Sequence, residues 1–210
     1  MSVEVAYPVF RTTDPAEALS IARGLVAVGV GAESKVRVDV RLDTVEDVVR
    51  LRNTLPGDAT FITTRWRDVR RMNGEPVDPP ALYCGVPGAD LATDPESLSR
   101  WLPLAADLWE QPIGGIEDAF TAAAGRCIGQ LEWYGLVWPE VPEEELNRDL
   151  KHAEVSVQFN RRTRDWDERA DDHTVFVHVR ATGDPEDEAR QVTWVARHVG
   201  LHIIGPPDQH

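Results

Sequence analysis

The sequence contains 210 residues and has a formal net charge of −14, because 36 acidic residues outnumber 22 basic ones. This charge repels phosphate backbones and anionic membrane surfaces, so the composition argues against nucleic-acid binding and membrane binding. With 42% hydrophobic and 28% charged residues, the chain has the composition of a globular protein long enough to bury its own core.

The absence of targeting patterns and the scarcity of cysteine indicate a cytoplasmic protein. No run of about eighteen apolar residues occurs, and the N-terminal MSVEVAYPVFRTTD lacks the basic start and apolar core of a signal peptide. Cys84 and Cys127 are the only cysteines. We expect reduced thiols, with a single disulfide as the alternative.

Residues 1–66 alternate the periodicities of strands and helices, which predicts a βαβαβ unit. The stretch KVRVDVRL alternates polar and apolar residues strictly, as a strand with one buried face does. Asp43 or Thr44 is suited to cap the helix that follows, and Pro56-Gly57 is suited to end it. The predicted strands are 3–11, 35–42 and 59–66, and the predicted helices are 15–28 and 45–54.

Residues 67–93 predict a long connection that includes a short strand at 81–84, and such a connection can form a lid over a site. Residues 94–151 predict a helical insertion. Apolar residues at helical spacing favour a helix over 95–109, kinked at Pro103, and a longer helix over 114–134. Pro142 is expected to begin a short acidic helix.

Residues 152–210 predict a ββαβ unit. Its strands are expected at 153–159, 174–181 and 201–204, its helix at 185–198, and a charged loop at 160–172. Asp14, Asp94 and Asp184 each precede a proline and then acidic residues, which is a favourable way to begin a helix. We interpret the likeness of the two ends of the chain as two convergent β-α-β units rather than a duplication.

These elements predict an α/β or α+β fold in a single domain. The two end units would build one mixed sheet around the inserted helical segment, because strands joined by a single right-handed crossover run parallel. Two ferredoxin-like halves are the alternative arrangement.

No catalytic motif is present. The sequence contains no phosphate-binding glycine loop, zinc-binding spacing or nucleophile elbow, so we expect a binding protein rather than an enzyme, with no cofactor. Two imidazoles, as of His178 and His202, together with a carboxylate would suit a divalent metal, and His173 lies near the carboxylates of Asp171 and Asp172. Ordinary solvated or hydrogen-bonded histidines explain the pattern better, so we predict no metal site.

A polar sheet face is the best candidate for a ligand site. The strand 35–42 places its basic residues on one face, and the strands 153–159 and 174–181 carry polar residues that would extend it. The alternative hypothesis is therefore an enzyme or sensor that binds a small anionic ligand there. Its binding residues would be Arg37, Arg41, His178, Arg180 and His202.

The first hypothesis is a non-catalytic, immunity-like or regulatory protein that binds a partner protein. Its acidic surface, with Glu143, Glu144 and Glu145, would attract a basic partner, and association would slow as salt rises. Trp166 in the charged loop is the expected aromatic contact. The sequence leaves the oligomeric state open.

Overall fold

An antiparallel β-sheet of nine strands organises the computed structural model, which describes residues 4–29, 31–63, 85–149 and 151–209. The strands are β1 (Glu4–Thr12), β2 (Lys35–Leu42), β3 (Thr60–Thr63), β4 (Val86–Pro87), β5 (Leu104–Gln111), β6 (Gly129–Tyr134), β7 (Glu154–Phe159), β8 (His173–Arg180) and β9 (Asp208–Gln209). The helices are α1 (Pro15–Gly29), α2 (Val45–Thr54), α3 (Pro95–Ser99), α4 (Glu117–Ala124) and α5 (Pro185–Arg197).

The strand order across the sheet is β4-β3-β5-β2-β6-β7-β8-β1-β9. Every neighbouring pair is antiparallel, so the mixed α+β class is correct but the expected mixed sheet with paired parallel strands is wrong. Strands joined by one helix do run in the same direction. They are not neighbours, because β5 lies between β2 and β3, and β1 lies between β8 and β9.

The core lies between one face of the sheet and the helices. In β2, Val36, Val38, Val40 and Leu42 are buried, and the residues that alternate with them face the other way. Helix α1 packs against β1, β7 and β8, α5 packs against β1 and β8, and α4 contacts both α1 and α2. Among the described residues, no helix is long and apolar enough to cross a membrane.

The predicted elements of the two ends are largely confirmed. Strand β2 and helix α2 have the predicted bounds, and Thr44 caps α2 by accepting a hydrogen bond from the Asp47 N–H. The side chains of Asp14, Asp94 and Asp184 accept backbone N–H bonds at the starts of α1, α3 and α5. The Asp-Pro pairs therefore begin helices as predicted.

The predicted helical insertion is wrong in its two longest elements. The helix over 95–109 ends at Ser99, and β5 follows with Leu104, Ala106 and Leu108 buried in alternation. The helix over 114–134 ends at Ala124, before Gly125 at φ +56°, and β6 replaces its second half. Both new strands pair with β2, on its two sides, so this segment builds the centre of the sheet.

Smaller differences concern the ends of other elements. The acidic helix from Pro142 is a single 3₁₀ turn, Pro142–Glu144, because Glu145 takes a left-handed conformation at φ 58°. The strand expected at 201–204 is irregular, and only the Ile204 N–H bonds to β1, at Pro8 O. The strand expected at 81–84 and most of the expected lid lie outside the described residues.

Candidate functional site

The sheet face opposite the helices is polar, and the loop 160–172 lies on it. Arg161 anchors this loop and is fully buried. Its guanidinium donates to Arg164 O at 2.8 Å and to Gln130 Oε1 at 2.9 Å, and it stacks over the Trp166 ring at 4.0 Å. Burial lowers the pKa of Arg161 to about 10. The charged loop therefore covers part of the face, with Arg161 and Arg164 buried beneath it and residues such as Arg162 and Asp167 exposed to solvent.

Glu4, Glu154 and His178 meet on this face and form a carboxyl–histidine cluster. One ligand atom from each residue lies within 4.8 Å of the other two. The strand register brings them together, because Glu154 is directly opposite His178 and Ala6, two residues from Glu4, is opposite His178 on its other side. Arg164 donates to Glu4 Oε1 at 2.9 Å.

The two carboxyl groups of the cluster have opposite pKa shifts. The hydrogen bond to His178 is the main factor that lowers the pKa of Glu4, and Arg164 adds to it. Burial, followed by the charges of Glu132 and Glu4, raises the pKa of Glu154 to about 9. At neutral pH Glu4 is therefore ionised and Glu154 holds a proton.

His178 also joins a serine to a carboxylate, in the order used by nucleophilic hydrolases. Its Nε2 is 2.9 Å from Ser156 Oγ, and its Nδ1 is 3.4 Å from Glu4 Oε1. Ser156 and His178 are both 0% exposed, and the Gln158 amide donates to Ser156 Oγ. A substrate cannot reach this hydroxyl in the present conformation, so Ser156 orients the imidazole.

Arg37 and Arg41 line a cavity of about 500 Å³, with Trp166 and Asp167 at its border. Arg37 lies 2.6 Å from Asp39 and stacks on Trp109 at 3.9 Å. Arg41 pairs with Asp43 at 2.9 Å and with Asp167 at 3.1 Å. Both arginines are therefore neutralised by their neighbours, and the cavity is a weak attractor of anions.

A second cavity of about 630 Å³ lies at the end of β8, and we call it the Arg180 cleft. Arg148, Lys151 and Arg180 line it, and none of them forms an ion pair within the described part of the chain. The other lining residues are Glu145, Leu146, Asn147, Asp149, His152, Ala181, Thr182, Asp187, Arg190 and Gln191.

The acidic residues of the Arg180 cleft already have partners. Asp149 accepts the backbone N–H groups of Lys151, His152 and Arg180 at 3.0–3.1 Å. Arg190 lies 3.0 Å from Asp187 and 3.6 Å from Glu145. Four basic and three acidic side chains line the cleft, so it has an excess of one positive charge in a strongly acidic protein.

The structure separates the residues predicted to bind a ligand. His178 is buried in the cluster, Arg180 lines the cleft, and Arg37 and Arg41 line the other cavity. His202 lies in the irregular segment after α5, so His178 and His202 do not lie on neighbouring strands, which a metal site of these two imidazoles would need.

The residues predicted for partner binding lie in two places. Glu143 is exposed, Glu144 lies 3.9 Å from Arg197, and Glu145 lies 3.6 Å from Arg190. Trp166 is partly buried, with the Arg161 guanidinium stacked on its ring, so the ring is not fully available to a partner protein.

Sequence reasoning missed Glu4, Arg148 and Lys151 as site residues. Glu4 looked like an ordinary first residue of a strand, and Arg148 and Lys151 lie in a stretch predicted as helix. Identifying these residues would have required knowing which strands, distant in the chain, pair with each other in the sheet. Comparisons with known protein families, with curated proteins and with solved structures find no match to this chain.

Proposed function

We propose that this protein is a non-catalytic binding protein whose ligand is a small anion held in the Arg180 cleft. The observation that carries the proposal is the set of three cations, Arg148, Lys151 and Arg180, that share one cavity without acidic partners. Several other described arginines, such as Arg126, also lack a carboxylate partner, but they lie outside the cleft, so what distinguishes these three cations is that they share one cavity.

The ligand is a compact polyanion, such as a phosphorylated or polycarboxylate metabolite. Guanidinium groups bind such oxygens with charge-assisted hydrogen bonds, often two at a time. The overall negative charge of the protein acts weakly inside the cleft, because salt screens charges beyond about 8 Å at physiological ionic strength. A long polyanion would extend past the cleft and meet that repulsion.

Calorimetry with inorganic pyrophosphate and citrate as probes tests this function. Arg180→Gln and Arg148→Gln should each weaken binding by at least about tenfold, the effect of one lost charge-assisted bond. Arg126→Gln is the matched control, because Arg126 is exposed, forms no ion pair in the described ranges and is absent from the cleft. Failure of both probes to bind, or equal weakening by the control, would contradict the proposal.

Docking of a basic partner protein is the second candidate. The net charge of −14 and the exposed turn at Glu143 favour it. Arg190 and Arg197 lie within 4 Å of Glu145 and Glu144, which makes this surface less acidic than its sequence suggests. Replacing all three glutamates by Gln should slow association with a lysine-rich peptide at low salt, and an unchanged rate would exclude this surface.

We infer a cytoplasmic location from the thiol chemistry. Cys127 is free and buried, and burial is the main factor that raises its pKa to about 12. Such a thiol is inert toward oxidation and fits a reducing compartment. Cys84 lies outside the described residues.

We propose that the sheet consists of two ferredoxin-like halves. The segment β2-α2-β3-β5-α4-β6 lies in the spatial order β6-β2-β5-β3, and the order β7-β8-β1-β9 repeats this pattern with β1 and α1 supplied from the N-terminus. The second half is then circularly permuted.

A circular permutant tests that arrangement. Val5 pairs with Gln209 in adjacent antiparallel strands, so joining His210 to Met1 closes a short loop. Opening the chain between Gly31 and Ser34 should leave a folded protein with an unchanged circular dichroism spectrum. An unfolded permutant would argue that α1 and β2 must remain covalently joined.

A further inference from the structure

We propose that Glu4, Glu154 and His178 form a binding site for a divalent transition-metal ion such as Zn²⁺. They supply two carboxylates and one imidazole from three different strands, β1, β7 and β8. Oxygen and imidazole-nitrogen donors in this combination suit Zn²⁺, Co²⁺ and Mn²⁺. This site is separate from the Arg180 cleft and does not depend on its function.

One of the three donor spacings is that of a coordination sphere, and the other two are close to it. Bonds of about 2.1 Å at a tetrahedral angle place two ligand atoms about 3.4 Å apart. His178 Nδ1 and Glu4 Oε1 are 3.4 Å apart, which is longer than a good hydrogen bond. A carboxylate oxygen of Glu154 lies within 4.8 Å of both atoms. Small rotamer adjustments would close this set around an ion.

The imidazole is already held in the required orientation. His178 Nε2 is hydrogen-bonded to Ser156 Oγ at 2.9 Å, so Nδ1 is the nitrogen that faces the carboxylates. A histidine that binds a metal through one nitrogen commonly has its other nitrogen fixed by a hydrogen bond. The Gln158 amide, which donates to Ser156 Oγ at 3.1 Å, holds this support in place.

The charges around the cluster favour a cation. Glu132 adds a third carboxyl group whose charge acts on Glu154, and Arg164 is the cation that contacts Glu4. When an ion displaces the proton of Glu154, the three ionised carboxyl groups and Arg164 leave a local excess of two negative charges, which the divalent ion offsets. Arg37, which lies 3.7 Å from Glu132, is shared with Asp39.

Arg164 supplies an independent indication of an unfilled polar site. Its side chain is 10% exposed, and its Nη1 is buried without a hydrogen-bond partner among the described residues. The other terminal nitrogen of the same guanidinium binds Glu4. A water or anion completing the coordination of the ion would give Nη1 an acceptor. The Glu4 side chain is 25% exposed, so the cluster borders solvent at this carboxylate.

Cobalt titration of the chelator-treated full-length chain tests the site. One equivalent of Co²⁺ should produce visible d–d absorption, and Zn²⁺ should displace it. Glu154→Gln keeps the shape of the side chain and should weaken binding at least about tenfold. His178→Ala should abolish the absorption. Because His178 is buried, this variant can also lose its fold, so the binding affinity of Glu154→Gln is the decisive measurement.

His198→Ala and His202→Ala are the matched controls, because both histidines are exposed and lie outside the cluster. Circular dichroism and thermal melting of the metal-free variants show that each has folded. Retained binding in these controls, together with its loss in Glu154→Gln, supports the site. Absence of binding in the unaltered chain, unchanged binding in Glu154→Gln, or loss in a control overturns it.

Discussion

The covered polar face and the Arg180 cleft both contain basic residues, but the two regions use them differently. On the covered face, Arg41 and Arg164 contact carboxylates and Arg161 contacts neutral acceptors, so their charges hold the loop 160–172 on the sheet. In the cleft, Arg148 and Arg180 have no such partners within the described ranges. The number of basic residues in a region is therefore a poor guide to ligand binding, and the pairing of each one is a better guide.

The largest difference between the two regions should appear in Arg161→Ala. This change removes a fully buried side chain and leaves Gln130 Oε1 and Arg164 O without their donor. The cavity and the unpaired acceptors should lower the free energy of unfolding by about 3 kcal/mol, measured by urea denaturation. Trp166 should become more exposed, which its fluorescence would report. A loss below about 1 kcal/mol would mean that Arg161 is not the anchor of the loop.

Glu154→Gln should instead increase the stability of the metal-free protein, and the size of the gain should depend on pH. The pKa of Glu154 is raised from 4.5 to about 9, so between these values the folded chain keeps a proton that the unfolded chain releases. Stability therefore falls as pH rises through this window, and Gln removes the dependence. At pH near 8 the variant should be more stable by on the order of 1–3 kcal/mol.

The same variant should show no such advantage at acid pH. Below about pH 4.5 the carboxyl group of Glu154 is protonated in both the folded and the unfolded chain, so the difference should vanish. Urea denaturation at several pH values measures it. An equal difference at all pH values would indicate a packing effect instead of a proton.

The smallest expected effects on stability are those of Arg41→Gln and Arg180→Gln, and they should differ between the two variants. Arg41 is about one third exposed and pairs with Asp43 and Asp167, so its loss should cost about 0.5–1 kcal/mol. Arg180 has no ion pair in the described part of the chain, so its loss should change stability by less than about 0.5 kcal/mol. Only Arg180→Gln should reduce anion binding. The reverse pattern would exchange the roles that we assign to the two regions.

The sequence predicted elements well where one periodicity was unambiguous. The alternation in β2 and the capped apolar stripe of α2 predict the bounds that the structure has. In β6, Leu131 and Tyr134 also fit a helical stripe. The segment is nevertheless a strand, because it pairs with both β2 and β7. Such long-range pairing overrides local spacing and cannot be deduced from a single window of sequence.

The candidate site was predicted in part for the same reason. Alternation placed Arg37, Arg41 and His178 on polar faces, and these faces are indeed continuous across the sheet. The cluster also needs Glu4, which reaches His178 only because β1 inserts beside β8, far away in the chain. The pairing of each arginine likewise depends on loops whose position no local pattern specifies.

The described sheet ends on both sides in strands of only two residues, Val86–Pro87 in β4 and Asp208–Gln209 in β9. Pro87 in one edge strand cannot donate a hydrogen bond to a further strand. Asp208 in the other edge strand disfavours the close approach of a like-charged molecule. Concentrated protein should therefore resist polymerising through border-to-border pairing, even though so much of the chain is extended backbone.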